Sequence, residues 1–447
     1  MATTNMTNNE FRERIHKIIP GGAHTYSKGD DQFPENAPAA ITKGKGAWVW
    51  DLEGNKFLDC SMGLGSVSLG HAYEPVIDRV KLQLELGVNY QRPAFIEMEA
   101  AEKFLSVVKI HDMVKFAKNG STVTTAAVKL ARAFTKRKYV AFPVDHPFYS
   151  YDDWFIGKTE CNNGVSDEFA NLTLTFRSND IDSLKELFNK FPGQIACVIT
   201  EPEKNFDFDE GFSKQKPDVF LKEAIELTHE NGALFILDEM VTGFKTGFPG
   251  SLTKYGLNPD MATWGKGIAN GFSFCALTGR KEILELGGIQ AVGKEKVFLI
   301  STTHGAETHG LAASIATIDC FIKDKVLESN HKKGAEVIKR TRDALITYGL
   351  ADFIRVSSSN WAPAFQFMNA KKEPDNGFRT LFMQEMISRG VLFVGAFLPT
   401  YSHNKSEIDF FISQFEASLV KYKDALTDGY QKYLIGEPTK PVFRKFI

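Results

Sequence analysis

Residues 218–238 read DVFLKEAIELTHENGALFILD, and this stretch decides the class of fold. Phe220, Leu221, Ala224, Ile225 and Leu227 recur at helical spacing, so its first half predicts an amphipathic helix. Asn231-Gly232 supplies the stop. Ala233-Leu234-Phe235-Ile236-Leu237 follows, an apolar run suited to a strand covered on both faces. A helix leading into such a strand is one unit of an α/β domain with a mostly parallel sheet.

Working outward, helical and apolar segments alternate from about residue 76 to 330. The first 75 residues differ, being rich in Gly and turn residues. They hold a hairpin-like pair, Ala47-Trp48-Val49-Trp50 and Lys56-Phe57-Leu58, joined across Asp51–Asn55. From about residue 331 the texture changes again, opening with a polar helix over Lys332–Tyr348. The expected organisation is a large α/β domain over 76–330. A smaller α+β domain is expected from the two chain ends, 1–75 and 331–447.

Composition limits the partners. The chain has 447 residues, with 53 Lys plus Arg against 55 Asp plus Glu, so its net charge is 53 − 55 = −2. No sequence-wide basic field exists, which argues against nucleic acid. With 43% hydrophobic residues, disorder is excluded. Five scattered cysteines, free of CxxC spacing, argue against a disulfide framework or a zinc finger. The polar N-terminus and the lack of any long apolar run give no secretory leader and no membrane span, so the expected compartment is the cytoplasm.

In open α/β sheets, ligands sit beyond the carboxyl ends of the strands, so polar residues just after apolar runs are the first candidates. Lys118-Asn119-Gly120-Ser121-Thr122 precedes a helix expected over Thr124–Lys136. It reads as a phosphate site at a helix N-terminus or as an ordinary Ser/Thr cap. Asp238 directly follows the strand, either as a carboxylate with a cationic partner or as a cap. Lys266 lies between two glycines in Thr263-Trp264-Gly265-Lys266-Gly267, as a buried nucleophilic amine or a solvated turn lysine. Ser301-Thr302-Thr303-His304 is a second hydroxyl-rich segment, an anion site or a polar loop. His304, Glu307 and His309 in HGAETH mimic a metalloprotease motif. Positions five apart on a helix diverge by roughly 140°, so no metal is expected there.

Taken together and in order, five blocks resemble a known family: IPGGAHTYSKGDDQFP, GKGAWVWDLEGNKFLDCSMGLGSVSLGHA, NGSTVTTAAVKLARAFTKR, ILDEMVTGF and TWGKGIANG. The chain is similar to the class III aminotransferases, pyridoxal 5′-phosphate enzymes of fold type I. Its closest look is to glutamate-1-semialdehyde aminomutase and its aminotransferase relatives. The resemblance implies an aspartate-aminotransferase-like fold. It puts Lys266 at the lysine that binds the cofactor aldehyde, and Asp238 at the carboxylate that pairs with the pyridine nitrogen. Gly120 and Ser121 fall on the phosphate cradle, and Thr302 on a phosphate-binding threonine lent by the second subunit of a homodimer. Met240 falls under the cofactor ring and Phe148 on its other face, with Tyr149 where many relatives have His.

The departures are informative. Thr122 stands where relatives often have Glu, and Lys245 where Arg is usual. Glu201-Pro202-Glu203-Lys204-Asn205 replaces a Glu-Pro-Val block, leaving open whether Glu203 or Asn205 serves the cofactor. The aminomutases carry a Gly/Ser/Ala-rich gating loop after the stacking aromatic, and WFIGKTECNNGVSDEFANLT has none. The resemblance therefore implies transamination between a donor amino acid, glutamate foremost, and an aldehyde or ketone of a small polar metabolite. The block around Gly395–His403 and the tail GYQKYLIGEPTKPVFRKF lean toward sugar-derived carbonyls, as in enzymes making an 8-amino-octulosonate. The alternative is a 2,1-aminomutase. Tyr26, Ser27, Lys28, Tyr149, Glu203 and Tyr401 are unranked substrate-side candidates, and His24, His146 and His309 have no assigned role.

Overall fold

The computed structural model describes residues 6–145, 148–204, 208 and 214–446. His146 and Asn205, both named from the sequence, lie outside the described residues. Contacts divide the chain into two units, one holding 6–73 and 328–444, the other 74–204 and 214–327.

The first unit opens with a helix over Asn8–Ile18, followed by strands β1 (Ile41–Lys45), β2 (Trp48–Asp51) and β3 (Lys56–Asp59). β2 and β3 form the expected hairpin, with Trp48 opposite Leu58 and Trp50 opposite Lys56. Its turn is closed by Asp51, whose Oδ1 accepts from the backbone N–H groups of Glu53 and Asn55 at 3.0 and 2.8 Å.

The second unit is built on seven strands: β4 (Met113–Ala117), β5 (Tyr139–Pro143), β6 (Thr173–Phe176), β7 (Ile195–Thr200), β8 (Leu234–Glu239), β9 (Met261–Trp264) and β10 (Cys275–Gly279). Their order is β4-β10-β9-β8-β7-β5-β6. β10 runs antiparallel to both its neighbours and the remaining pairs are parallel. The helix and strand expected from residues 218–238 are present as Pro217–Glu230 and β8. Every residue of β8 is buried, as a strand covered on both faces must be. The helix after β4 spans Gly120–Thr135 and packs across β4, β7, β8, β9 and β10. It starts four residues earlier than its apolar pattern suggests, because Asn119 is the cap: its Oδ1 accepts from Thr122 N at 3.0 Å. Among the described residues, no helix is long and apolar enough to cross a membrane.

The chain returns to the first unit through the Val326–Tyr348 helix, with strands β11 (Ile354–Val356), β12 (Phe365–Phe367) and β13 (Val391–Leu392). β13 joins the N-terminal hairpin in parallel, Val391 opposite Leu58. The core here is a phenylalanine cluster of Phe365, Phe367, Phe378, Phe382, Phe393, Phe397, Phe411 and Phe415, with Tyr422 beside it. Phe382 is fully buried, its ring centroid 4.9 Å from that of Phe367 and 5.1 Å from that of Phe415. Phe382→Ala is expected to destabilise the protein by about 3–5 kcal/mol through lost burial and the cavity left behind. Urea unfolding would show it as a lower midpoint at unchanged slope.

Candidate functional site

Asp238 sits near the carboxyl end of β8, 2% exposed. Register places Thr263 of β9 beside it, and the Thr263 hydroxyl donates to Asp238 Oδ1 at 2.8 Å. Met240 N donates to the same oxygen at 2.9 Å. These two bonds fix the carboxylate at the strand end. Thr263 is a residue that reading along the chain misses, since the only sign of it is a strand register.

Lys266 begins the short helical turn after β9. Its φ is +47°, a left-handed conformation that strains a side-chain-bearing residue and that its surroundings must impose. Burial lowers the pKa of its amine, while the Glu201 and Asp238 carboxylates oppose that shift. Lys266 and Asp238 are therefore within electrostatic reach of each other. Burial at Lys266 does not suit a solvated turn lysine, while Asp238 also caps the turn after β8 through Met240 N.

Met240 joins the pieces. A Cβ added at Gly265 would lie 2.1 Å from Met240 Sδ and 2.8 Å from Cys275 Sγ, and one at Gly120 would lie 2.9 Å from Met240 Sδ. Both positions thus need glycine for the close approach of a side chain, and the thioether links the Gly120 helix end to the Lys266 turn. Cys275, absent from the sequence reading, is buried here, and its thiol is pushed up to about 12 by burial.

Gly120 and Ser121 are the first residues of their helix, where free N–H groups and the helix dipole favour an anion. Since Asn119 caps the helix, Ser121 is not a cap; its Oγ accepts from Tyr151 N at 3.1 Å. Tyr149 is buried, and its hydroxyl accepts from Glu201 N at 3.2 Å. Burial, with Asp238 and Glu201 nearby, raises its pKa well above the usual phenol value. Phe148, in contrast, is 47% exposed and packs edge-on against Phe155 at 5.7 Å. Thr302 is exposed, in a turn closed by Gly305 N donating to Thr302 O at 3.2 Å. The structure so gathers Gly120, Asp238, Met240 and Lys266, and leaves Phe148 and Thr302 at exposed positions.

Two departures from the family pattern acquire surroundings. Lys245 donates to Val241 O at 2.8 Å, and burial together with the Lys266 charge pushes it down to about 7. Glu203 pairs with Lys254 at 2.8 Å. Between them in the site's framework, Glu239 accepts from Thr242 Oγ1 at 2.6 Å and Leu252 N at 2.8 Å, clamping the turn after β8. Burial pushes the Glu239 carboxyl up to about 8. The HGAETH segment departs from the expected helix. His304 precedes the Thr308–Lys323 helix, so helical angles do not apply to it. Its Nδ1 lies 2.9 Å from Glu307.

Comparison with known proteins shows the family of the chain. The family description "Aminotransferase class-III" matches residues 30–419. The glutamate-1-semialdehyde 2,1-aminomutase of Syntrophobacter fumaroxidans is 27% identical over 435 residues, 93% of this chain and 98% of that protein. The enzyme of the same name from Persephonella marina is 30% identical, over 83% of this chain and 89% of its own. Among solved structures, the FumI protein of Sphingopyxis sp. MTA144 in its PLP internal aldimine form aligns with a TM-score of 0.85 at 23% identity, covering 97% of this chain and 98% of that one. An omega-transaminase from Sphaerobacter thermophilus gives 0.82 at 18% identity, covering 94% and 98%. The fold is that of the fold-type-I pyridoxal-phosphate enzymes. The chain belongs to the class III aminotransferase family and is a pyridoxal-phosphate-dependent enzyme.

The residues present fit that cofactor. A helix N-terminus bare of side chain at Gly120 suits the phosphate, a buried carboxylate suits a ring nitrogen, and a buried amine suits an aldehyde.

Proposed function

We propose that the chain carries out transamination, passing an amino group from a donor amino acid, glutamate foremost, to an aldehyde or ketone of a small polar metabolite such as a keto-sugar acid. The carrying observation is the gathering of Asp238, Met240 and Lys266 around the closely approached backbone of Gly120 and Gly265. When bound, pyridoxal 5′-phosphate supplies an aldehyde for amines and a ring that accepts electron density. In this reading Gly120 and Ser121 bind the phosphate through backbone N–H groups and a hydroxyl, with Thr302 lent by a second copy. The Asp238 carboxylate would keep a proton on the ring nitrogen, and Met240 and Phe148 would supply the ring's apolar contacts. The Lys266 amine would anchor the cofactor; once released, Lys266 Nζ would take the proton from the substrate's amine-bearing carbon and return it to the former aldehyde carbon, two atoms along. Its lowered pKa suits it to that work, because a base must be neutral to accept a proton.

The segment after Phe148 supports transamination over intramolecular transfer. Trp154 and Phe155 are buried, Thr173 Oγ1 donates to Trp154 O at 2.7 Å, and Gly157 is so close to Ala170 that a Cβ would meet it at 2.9 Å. The ends of the stretch are thus held, and the residues between them lack the Gly/Ser/Ala run of a gating loop. The names of the relatives favour the second reading, a glutamate-1-semialdehyde-type aminomutase. A homodimer is supported by the exposed apolar Ile289, Val292 and Phe298 on the segment leading to Thr302, which a second copy would cover. No disulfide joins the five cysteines, which suits a reducing cytoplasm.

The test is a half-reaction. Glutamate added to loaded enzyme without acceptor is expected to bleach its visible absorbance, and a carbonyl acceptor to restore it. Conversion of one substrate to its isomer with no added donor, and no bleaching by any amino acid, would replace this reading by the aminomutase.

A further inference from the structure

Ser121, Thr124 and Thr125 stand three and four residues apart on the Gly120–Thr135 helix, so their hydroxyls share one face. All three reach the chain that follows Phe148. Ser121 Oγ accepts from Tyr151 N at 3.1 Å. Thr124 Oγ1 lies 3.0 Å from Tyr149 O, and 3.1 Å from the Gly120 and Ser121 carbonyl oxygens, among which it shares its proton. Thr125 Oγ1 accepts from Trp154 Nε1 at 2.9 Å and donates to Asp152 Oδ2.

The Thr125 contacts belong to a closed network. Ser150 Oγ lies 3.2 Å from the same Asp152 oxygen and accepts from Asp152 N at 3.1 Å. Two hydroxyls, an indole N–H and an amide N–H therefore close on three oxygens. Both hydroxyl protons can point inward only because an ionised Asp152 is purely an acceptor. Ser150 and Trp154 are buried, so losing a member strands a polar group away from water. What the network holds is the segment that carries Phe148 and Tyr149. The Phe148 and Tyr149 rings each lie 5.7 Å from that of Phe155, and Trp154 lies 6.3 Å from Tyr149. The other end of Tyr149 is fixed where Glu201 N donates to its hydroxyl, just past β7 and within electrostatic reach of Asp238. We infer that Thr125 and Asp152 are positioning residues, whose hydrogen bond mounts the Phe148–Tyr149 segment on the helix that begins at Gly120, and so sets the affinity for the cofactor ring rather than for its phosphate.

This rests on reading Phe148 as a ring contact, and the experiment separates the two claims. Cofactor-free protein is titrated with pyridoxal 5′-phosphate and, in parallel, with pyridoxal, which has the ring and aldehyde without the phosphate. Inorganic phosphate is added as a competitor of the former. Binding is followed by the change in ligand absorbance. Thr125→Val and Asp152→Asn are each expected to raise the dissociation constants for both aldehydes about tenfold, and to leave the inhibition constant of phosphate unchanged. Thr125→Ser, which keeps the hydroxyl, is expected to restore both. Phosphate weakened in proportion would mean a general loosening of the helix and overturn the inference, as would no weakening of either aldehyde. Phe148→Ala tests the underlying reading alone: unchanged affinity for pyridoxal would remove Phe148 from the ring, and the inference with it. Thermal unfolding shows whether each variant has folded, and Asp152→Asn keeps the side-chain shape should Thr125→Val fail to do so.

Discussion

Lys266→Ala protein is expected to lose turnover by at least about 10⁴-fold, the upper range for one positioned proton-transfer group. The argument is local. The backbone at Lys266 is left-handed, and the glycine before it admits Met240 and Cys275 at close range. Nothing in that packing depends on the lysine's outer methylenes, so the variant should fold. Its amine is what the site loses: the group proposed as cofactor anchor and base, in the field of Glu201 and Asp238. Three readouts separate chemistry from collapse. Borohydride treatment should fix the cofactor to the native chain and leave none on the variant. The variant should still bind the cofactor reversibly through its phosphate. Added small primary amines should restore part of the rate. Turnover within tenfold of the native rate would sink the assignment.

The second large effect is at Asp238. Asp238→Asn keeps the shape, and its amide oxygen can still accept from the Thr263 hydroxyl and Met240 N, the partners at 2.8 and 2.9 Å. What disappears is the charge. Turnover should fall about 10²–10³-fold, the range for removing one preorganised electrostatic contact. Removing a nearby carboxylate also removes one of the charges raising the Lys266 pKa, so that pKa should fall further. Asp238→Ala adds a second cost. It leaves the Thr263 hydroxyl and Met240 N without their acceptor in a buried place, worth about 1–3 kcal/mol of stability. A fall in kcat shared by both variants, with a lower melting temperature for alanine alone, would separate the electrostatic role from the structural one. Equal kcat in Asp238→Asn and native enzyme would remove Asp238 from the mechanism.

The residues behind the two effects stand out along the chain, whereas their partners do not. Lys266 and Asp238 are legible because each ends an apolar strand and stands at a point where the chain must turn, and chemistry concentrates there in α/β sheets. Residues 217–239 are legible for the same kind of reason: one helical period, one Asn-Gly stop and one unbroken apolar run. Partners contributed by other segments are not legible. Thr263 reaches Asp238 through strand register, Tyr149 meets Glu201 through a loop closure, and Lys118 meets Glu307 across the fold. Nothing along the chain encodes those distances. The start of the Gly120 helix was misjudged because apolar periodicity begins at the face that packs, whereas the helix begins at its cap, Asn119. In HGAETH the helix begins only at Thr308, after His304, and no helical period marks that boundary.

The antiparallel hairpin of β2 and β3 has a consequence for how the chain is made. Its next neighbour, β13, pairs Val391 with Leu58, and the phenylalanines that bury that sheet come from residues beyond 364. During synthesis the N-terminal strands leave the ribosome long before anything exists to cover them. Meanwhile the sheet from β4 to β10 can be completed from a continuous stretch. Assembly is thus expected to run from the middle outward, with β3 an unpaired edge until the last third of the chain appears. Lys43 and Lys56, whose ammonium groups lie over the Trp50 and Trp48 rings at 4.7 and 3.9 Å, place charge on that hairpin. They are the residues that would discourage nascent chains from pairing with one another while it waits.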